Sequence, residues 1–362
     1  MTYSVSFAAA NSLPSNITML SVEFLTTDKI VIAYKTTSPT TECYVRIGTI
    51  SGGTITLGSA SVITENPSTY VLTALSSGSF VLAWESGGAV QCKVGTVSGT
   101  SITLGLTYAS SYITSATYLS VARTSSGFII SGRGDSNTNI AAQAASVSGT
   151  VVTFGTGALV VTGSLGWFTS KQISASLVAF AYDQSGTKVK IVSISGTTIT
   201  AGTEISDSDL TGTRYSIASK QDGAFIVTSS VSVANCRAKT FTHSGTTITA
   251  GTLTTIKSTT VQSTSSCTLG SNIYVSAYTN PSNSYAGTVS VGAYTSNIVG
   301  TTNDATFSTL NSTTNPKIIS ISSTNVLLSY LTVDGNSTGK LVIGTISEEA
   351  QGANSILLSN NF

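Results

Sequence analysis

Apolar positions along this chain come in short runs that alternate with polar ones and are broken by Gly, Ser and Asn. Residues 69–110 show the pattern. YVLTAL is followed by SSGS, then FVLAWES, Gly87-Gly88, AVQCKVGTV, Ser98-Gly99-Thr100 and SITLGLTYAS. Period-two alternation places successive side chains on opposite faces of a strand, and a Ser-Gly or Gly-Gly pair between two such runs is a hairpin signal. The second run of each set is the most apolar, as expected of a strand covered on both faces. It recurs as IVIAYK, FVLAWE, FIISGR, VAFAYD, FIVTSS, YVSAYT and VLLSYL, and an aromatic residue ends it at Tyr34, Trp84, Tyr182, Tyr278 and Tyr330.

The recurrence is regular. IGTISGGTITLG starts at Ile47 and returns as VGTVSGTSITLG from Val94, AASVSGTVVTFG from Ala144, IVSISGTTITAG from Ile191 and TFTHSGTTITAG from Thr240. VGAYTSNIVG from Val291 is a worn copy and IGTISEEA from Ile343 a truncated one. The second position of each copy is Gly48, Gly95, Ala145, Val192, Phe241, Gly292 and Gly344, in steps of 47, 50, 47, 49, 51 and 52 residues. Four antiparallel strands in roughly 50 residues is the arithmetic of a propeller blade. One four-stranded sheet cannot bury two apolar faces, whereas blades packed around an axis bury both. The chain is therefore expected to be all-β, a single seven-bladed β-propeller over residues 1–362. Its blades fall at about 16–63, 68–110, 116–162, 165–208, 212–257, 264–306 and 316–358. A β-solenoid, whose rungs are usually shorter, is the alternative. Residues 2–10, TYSVSFAAA, resemble the fourth strand of the repeat, which the last copy lacks, so the N-terminal segment is expected to close the ring. SILLSN, at residues 355–360, competes for that place.

Strand parity sorts other residues. Cys43, Cys92 and Cys236 fall on the apolar face of equivalent third strands. With Cys267 they match no zinc or CxxC spacing and are expected to be reduced, buried thiols. Arg46, Lys93, Lys190 and Lys239 share one position on the opposite face, where the other blades carry Gln143, Ser290 and Val342. These cations form either a functional ring or stems packed along blade edges with their heads in solvent.

Composition narrows the function. Only 9% of the 362 residues are charged, the net charge is +1 and 40% are hydrophobic. Disorder does not fit, and the absence of a basic cluster argues against nucleic acid as a partner. No apolar run reaches the roughly 18 residues of a membrane helix, so no membrane insertion is expected. No basic start followed by a long apolar stretch marks a secretory signal. A protein made in a cytoplasm and kept in its original form is the expectation. The single histidine, His243, stands where other copies carry Ile50, Val97 and Ile194, and no nucleophile elbow accompanies it. It reads as structural. Asp207-Ser208-Asp209 lacks the glycine and terminal glutamate of a calcium loop. No phosphate-cradling loop, facing carboxylate pair or sialidase aspartate box is found. No enzymatic activity, metal or cofactor is expected.

Two features are candidates for binding. Gly132-Arg133-Gly134-Asp135-Ser136 follows the second strand of blade three. It is similar to the RGD tripeptide of integrin ligands, in which a guanidinium and a carboxylate project from a loop tip; Arg133, Gly134 and Asp135 would carry that role. The loop aromatics Tyr108, Tyr112, Trp167 and Tyr285 either stack on sugars or seal blade edges. The phrase VGTVSGTSITLG, repeated every 50 residues or so in a Ser/Thr/Gly-rich chain, resembles propeller repeats of tail, fibre and capsid-attached virion proteins of tailed bacteriophages. That resemblance implies a non-enzymatic virion protein whose partners are other virion proteins and a host-surface glycan or receptor. A carbohydrate-binding, lectin-like propeller is the alternative.

Overall fold

The computed structural model describes residues 2–349 except 39–40, 64, 66, 68, 115, 134–137, 221–222, 231–234, 271, 282–284, 296–297, 309–312 and 333–336. Seven antiparallel sheets follow one another along the chain. The first contains Ile17–Thr26, Lys29–Thr36, Cys43–Ser51 and Thr54–Leu57 in that spatial order, with Ser61–Ile63 also paired to the third strand. Five further sheets repeat the plan, beginning at Thr69, Tyr118, Phe168, Arg214 and Gln262. Each first strand packs against the first strand of the next sheet, around to the seventh, Thr313–Ser320, which packs against Ile17–Thr26. First strands therefore surround the axis and fourth strands form the rim. The fold is a seven-bladed β-propeller.

The last blade completes the ring. Its three late strands, Thr313–Ser320, Asn325–Thr332 and Gly339–Glu349, are joined by Thr2–Phe7, which pairs antiparallel to the third strand from Thr2↔Glu349 to Phe7↔Gly344. Asn11–Ser12 pairs with the same strand further on. Tyr3 packs into the core between blades six and seven, and Leu13 and Ile17 into that between seven and one. The competing segment 355–360 lies outside the described residues.

The core is seven seams, not one centre. Along Lys29–Thr36, Val31 and Ala33 face the seam with blade two, while Ile30, Ile32 and Tyr34 face the seam with blade seven. All five side chains are buried. Period-two geometry thus explains why the second strand is buried on both sides: each of its faces meets a neighbouring blade.

The repeated phrase has a steric explanation. Its turn begins with a glycine at φ near +60°, at Gly52, Gly99, Gly149, Gly196 and Gly245, as a two-residue hairpin turn requires. The turn's next residue, a threonine in blades two to five, packs on the glycine that ends the phrase in the preceding blade. A Cβ on Gly58, Gly105, Gly155 or Gly202 would lie 2.4–2.9 Å from the Cβ of Thr100, Thr150, Thr197 or Thr246 respectively. Between blades seven and one the sizes are exchanged, with Ala8 in the glycine position meeting Gly53 in the threonine position. The phrase therefore encodes a contact between neighbours. Its second position is also tuned: Gly95 leaves room for the Phe80 ring, whereas Phe241 stacks on Phe225 at 5.5 Å.

Outer strands divide the blades. In blades one to three they break after Leu57, Leu104 and Phe154 and resume at Ser61, Tyr108 and Ala158. In blades four to six they run on through a register shift.

Candidate functional site

One end of the ring is closed by tight turns and the other carries the longer connections, 37–42, 134–138, 231–235, 281–285 and 333–338, together with the links between blades. At this second end the first strands of five blades present equivalent positions. Tyr118, Trp167, Arg214, Ser263 and Asn315 stand two residues before the central rung of the inner strand in blades three to seven.

Their side chains form an arc. The Arg133 guanidinium lies 4.1 Å from the centre of the Tyr118 ring. Tyr118 and Trp167 have centroids 4.0 Å apart, tilted by 50°. The Arg214 guanidinium lies 4.6 Å from the Trp167 ring centre. Arg214 also donates to Ser263 Oγ at 3.2 Å, and that hydroxyl donates to Asn315 Oδ1 at 3.3 Å. The cation–π contact of the half-exposed Arg214 contributes about 0.5–1 kcal/mol, and that of the buried Arg133 up to about 2 kcal/mol. Ser263 and Asn315 both have left-handed backbones, at φ 50° and 48°, beside register shifts in their strands. A non-glycine residue there costs on the order of 1 kcal/mol. The bulges bring the two side chains together and end the arc.

Arg133 does not project from a loop tip. It is 8% exposed, donates to the carbonyls of Leu165 and Gly166 at 2.8 and 2.6 Å, and reaches Thr117 Oγ1 at 3.3 Å. It thereby fastens the link into blade four to blade three. Gly134 and Asp135 lie outside the described residues. Trp167 is half-buried between Tyr118 of the preceding blade and Arg214 of the following one, so its ring is part of a built wall and not an open platform. Tyr108 packs into the seam between blades two and three, and Tyr112 covers Gly157, in keeping with rings that seal edges. Tyr285 is 43% exposed.

The cations matched in sequence clasp the blades. Lys93 pairs with Glu65 at 3.0 Å, Lys190 donates to the Val160 carbonyl at 2.8 Å, and Lys239 pairs with Asp207 and Asp209 at 2.8 and 3.1 Å. Each of these partners belongs to the preceding blade or to the link from it. Gln143, at the same position, holds Ser111 in the link from blade two and the Gly155 carbonyl of its own blade. Arg46 donates to Gly58 within its own blade. Solvent-facing heads, the expectation from sequence, give way to heads tied to backbone and carboxylates. Burial disfavours the Lys239 ammonium, but the two aspartates more than offset it and raise its pKa. Asp207 also accepts from the amides of Asp209 and Leu210, so this acidic stretch is occupied by a turn and a lysine.

Other reactive residues are likewise engaged. The four cysteines are unbridged, and burial pushes each thiol up to about 12. His243 Nδ1 sits 3.2 Å from the Gly245 carbonyl, its ring beside Phe225. Tyr182 and Tyr278 turn their hydroxyls to Glu204 and Asp304 on the outer strands, an arrangement that raises both phenols, with desolvation the larger cause. Among the described residues no group of three or more His, Cys, Asp and Glu side chains is placed to hold a metal ion. A cleft of 380 Å³ opens between blades three and four, lined by residues including Leu159, Thr162, Gln184, Lys190 and Glu204.

No protein-family model and no curated protein sequence matches this chain. Solved structures do. A protein of unknown function from Dyadobacter fermentans aligns with a TM-score of 0.53 and 11% identity, covering 95% of this chain and 99% of its own. The WD40 domain of SCAP from fission yeast aligns at 0.50 and 10%, covering 95% and 98%. At these identities the likeness is one of fold.

Proposed function

We propose that this propeller is a non-enzymatic binding and structural body of a bacteriophage particle, mounted on tail or capsid and engaged in assembly or host-surface attachment. The observation that carries this reading is the contrast between its ends. Tight turns and interlocked glycines fix one end, and the other gathers the longer connections around an aromatic and guanidinium arc. Rigid frames that vary one loop-bearing face suit recognition. Lys93, Lys190 and Lys239 clasp the preceding blade or its link, the thiols are buried and His243 meets its own turn, which favours a scaffold over a catalyst. The particle setting rests on the resemblance of the VGTVSGTSITLG repeat to virion propellers, and low charge with short turns suits a stiff body of that kind. Trp167 and the loop containing Gly134 and Asp135 are the residues proposed to meet a partner.

Mass spectrometry of purified particles from cells expressing the chain tests this reading. Recovery of the protein with the particles in a fixed ratio to the other virion proteins is expected. A free monomer in the lysate, absent from particles, overturns it.

One observation favours the carbohydrate-binding alternative. The cleft between blades three and four is lined mainly by polar surface, with the Gln184 amide, the Lys190 ammonium and the Glu204 carboxylate beside Leu159, groups that can meet sugar hydroxyls. Binding on a glycan array that is lost in Gln184→Ala supports it, and silence on the array removes it.

A further inference from the structure

Charges on the innermost strands are few and lopsided. Across the seven first strands the charged side chains are Glu23, Arg123, Lys171, Arg214 and Lys317, four cations and one anion. Register places them along the axis. Glu23 pairs with Val31 and Lys171 with Ala179, equivalent positions that set both at one level. Lys317 pairs with Ser329, two residues nearer the loop-bearing end, and Arg214 with Ser230, two nearer still. At about 3.3 Å per residue these three levels span roughly 13 Å. Offsets of two keep all four on the same face of their strands.

Lys171 and Lys317 belong to blades four and seven, on opposite sides of the ring, and both side chains are exposed to solvent. Among the described residues neither forms an ion pair within 4.0 Å, and Lys317 reaches only Ser21 Oγ, at 3.5 Å. The two ammonium groups nevertheless feel one another. Loss of hydration lowers the Lys317 pKa, the Lys171 charge lowers it further, and Glu23 opposes both. The two cations therefore share the lumen with one carboxylate, Glu23, which acts on Lys317 more strongly than Lys171 does; with Arg214 the facing set is three cations to one anion, and low-dielectric walls focus its net positive field. Arg214, which has no carboxylate partner among the described residues, stands at the entrance.

We propose that the central channel is a binding site for a small oxyanion of the phosphate or carboxylate class, held between Lys171 and Lys317 and admitted past Arg214. A lumen enclosed by seven strands takes an ion and not a folded element. The anion relieves the repulsion between the lysines and ties blades four and seven across the axis, so it stiffens the ring that the proposed binding face sits on.

The test uses the full chain and inorganic phosphate as the probe, with chloride at matched ionic strength as reference. Titration calorimetry and thermal unfolding are read for the native chain, for Lys171→Gln and for Lys188→Gln on the rim. Lys171 has no hydrogen-bond partner in the described structure, so its substitution leaves the fold intact. Phosphate is expected to bind the native chain and raise its melting temperature. Lys171→Gln should weaken binding by about tenfold or more, as loss of a charge-assisted contact does, and Lys188→Gln should leave it unchanged. In low-salt buffer without phosphate, Lys171→Gln should melt above the native chain because the repulsion is gone. Equal phosphate binding by all three proteins, or no binding by the native chain, overturns the proposal. So does a Lys171→Gln melting temperature in low salt at or below the native one.

Discussion

At one end of the ring the chain reverses in two residues at Gly52-Gly53, Gly99-Thr100, Gly149-Thr150, Gly196-Thr197 and Gly245-Thr246, and each of these turns sits against the preceding blade. At the other end the connections are longer, two inner strands bulge into left-handed conformations at Ser263 and Asn315, and guanidinium groups lie on aromatic rings. The first end repeats because the turn of one blade packs on the preceding blade, and that geometry is met again at five of the seven seams. The second end is free of that requirement, so residues at equivalent positions differ from blade to blade. The turn end is thus uniform and the loop-bearing end varied, although Arg133 fastens neighbouring blades there too.

Removing residues 2–12 attacks the frame most severely. It strips the outer strand from the last blade and uncovers the seam that Tyr3, Val5 and Phe7 pack into, a loss on the order of 5 kcal/mol from side-chain burial alone. The expected outcome is a lost or greatly lowered cooperative melt by circular dichroism and self-association through the bared strand edge by size exclusion. An unchanged monomer with an unchanged melt would show that another segment closes the ring.

A pair of substitutions compares the ends directly. Gly155→Val drives a side chain into Thr197, whose Cβ and carbonyl oxygen would lie 2.4 and 2.5 Å from the new Cβ. A cost of about 1–3 kcal/mol in guanidinium denaturation is expected. Asn315→Gly relieves a left-handed backbone at φ 48° and should change stability by less than about 1 kcal/mol. Equal losses would mean that the loop-bearing end is as much a part of the frame as the turns.

Alkaline pH weakens the seams next. Burial raises the Cys43, Cys92 and Cys236 thiols from 9.0 to about 12, and Lys239 is raised by its aspartates. A group whose pKa is higher in the folded protein adds stability that is complete below its unfolded value and is lost as pH rises through the folded one. The melting temperature should therefore hold through neutral pH and fall steadily between about pH 9 and 12. The same thiols should resist alkylation at pH 8 until the chain is unfolded. A melting temperature that rises above pH 9 would contradict this assignment.

The smallest effect is optical. Trp84 is fully buried in the seam between blades one and two, whereas Trp167 is half-buried at the channel mouth. In Trp84→Phe the remaining emission should be quenched by acrylamide and respond to any partner of the loop-bearing end. In Trp167→Phe it should do neither. Partner-induced change from Trp84 alone would move the binding surface to the frame.

The blade count, the strand order and the closing strand were legible in the chain because each rests on a periodic signal: alternation within strands, or a phrase returning about every 50 residues. The burial of Cys43, Cys92 and Cys236 followed from the same parity. The arc was not legible beyond Trp167, because Tyr118, Arg214, Ser263 and Asn315 are about 50 residues apart and their equivalence appears only once the inner strands are in register. The RGD-like triplet misdirected the reading of Arg133. A local motif says nothing of whether its guanidinium finds carbonyls of the next blade, and here it finds those of Leu165 and Gly166.

The sequence alone determined that the chain forms seven similar units of apolar strands that must cover one another to exclude water, and the ring in place of a solenoid was the arrangement their length of about 50 residues favoured. Only the tertiary structure decided which charges meet. Whether a lysine faces solvent, a carboxylate of the preceding blade or another lysine across the axis depends on positions fixed when the ring closes, and electrostatic energy depends on that separation and burial and not on order along the chain.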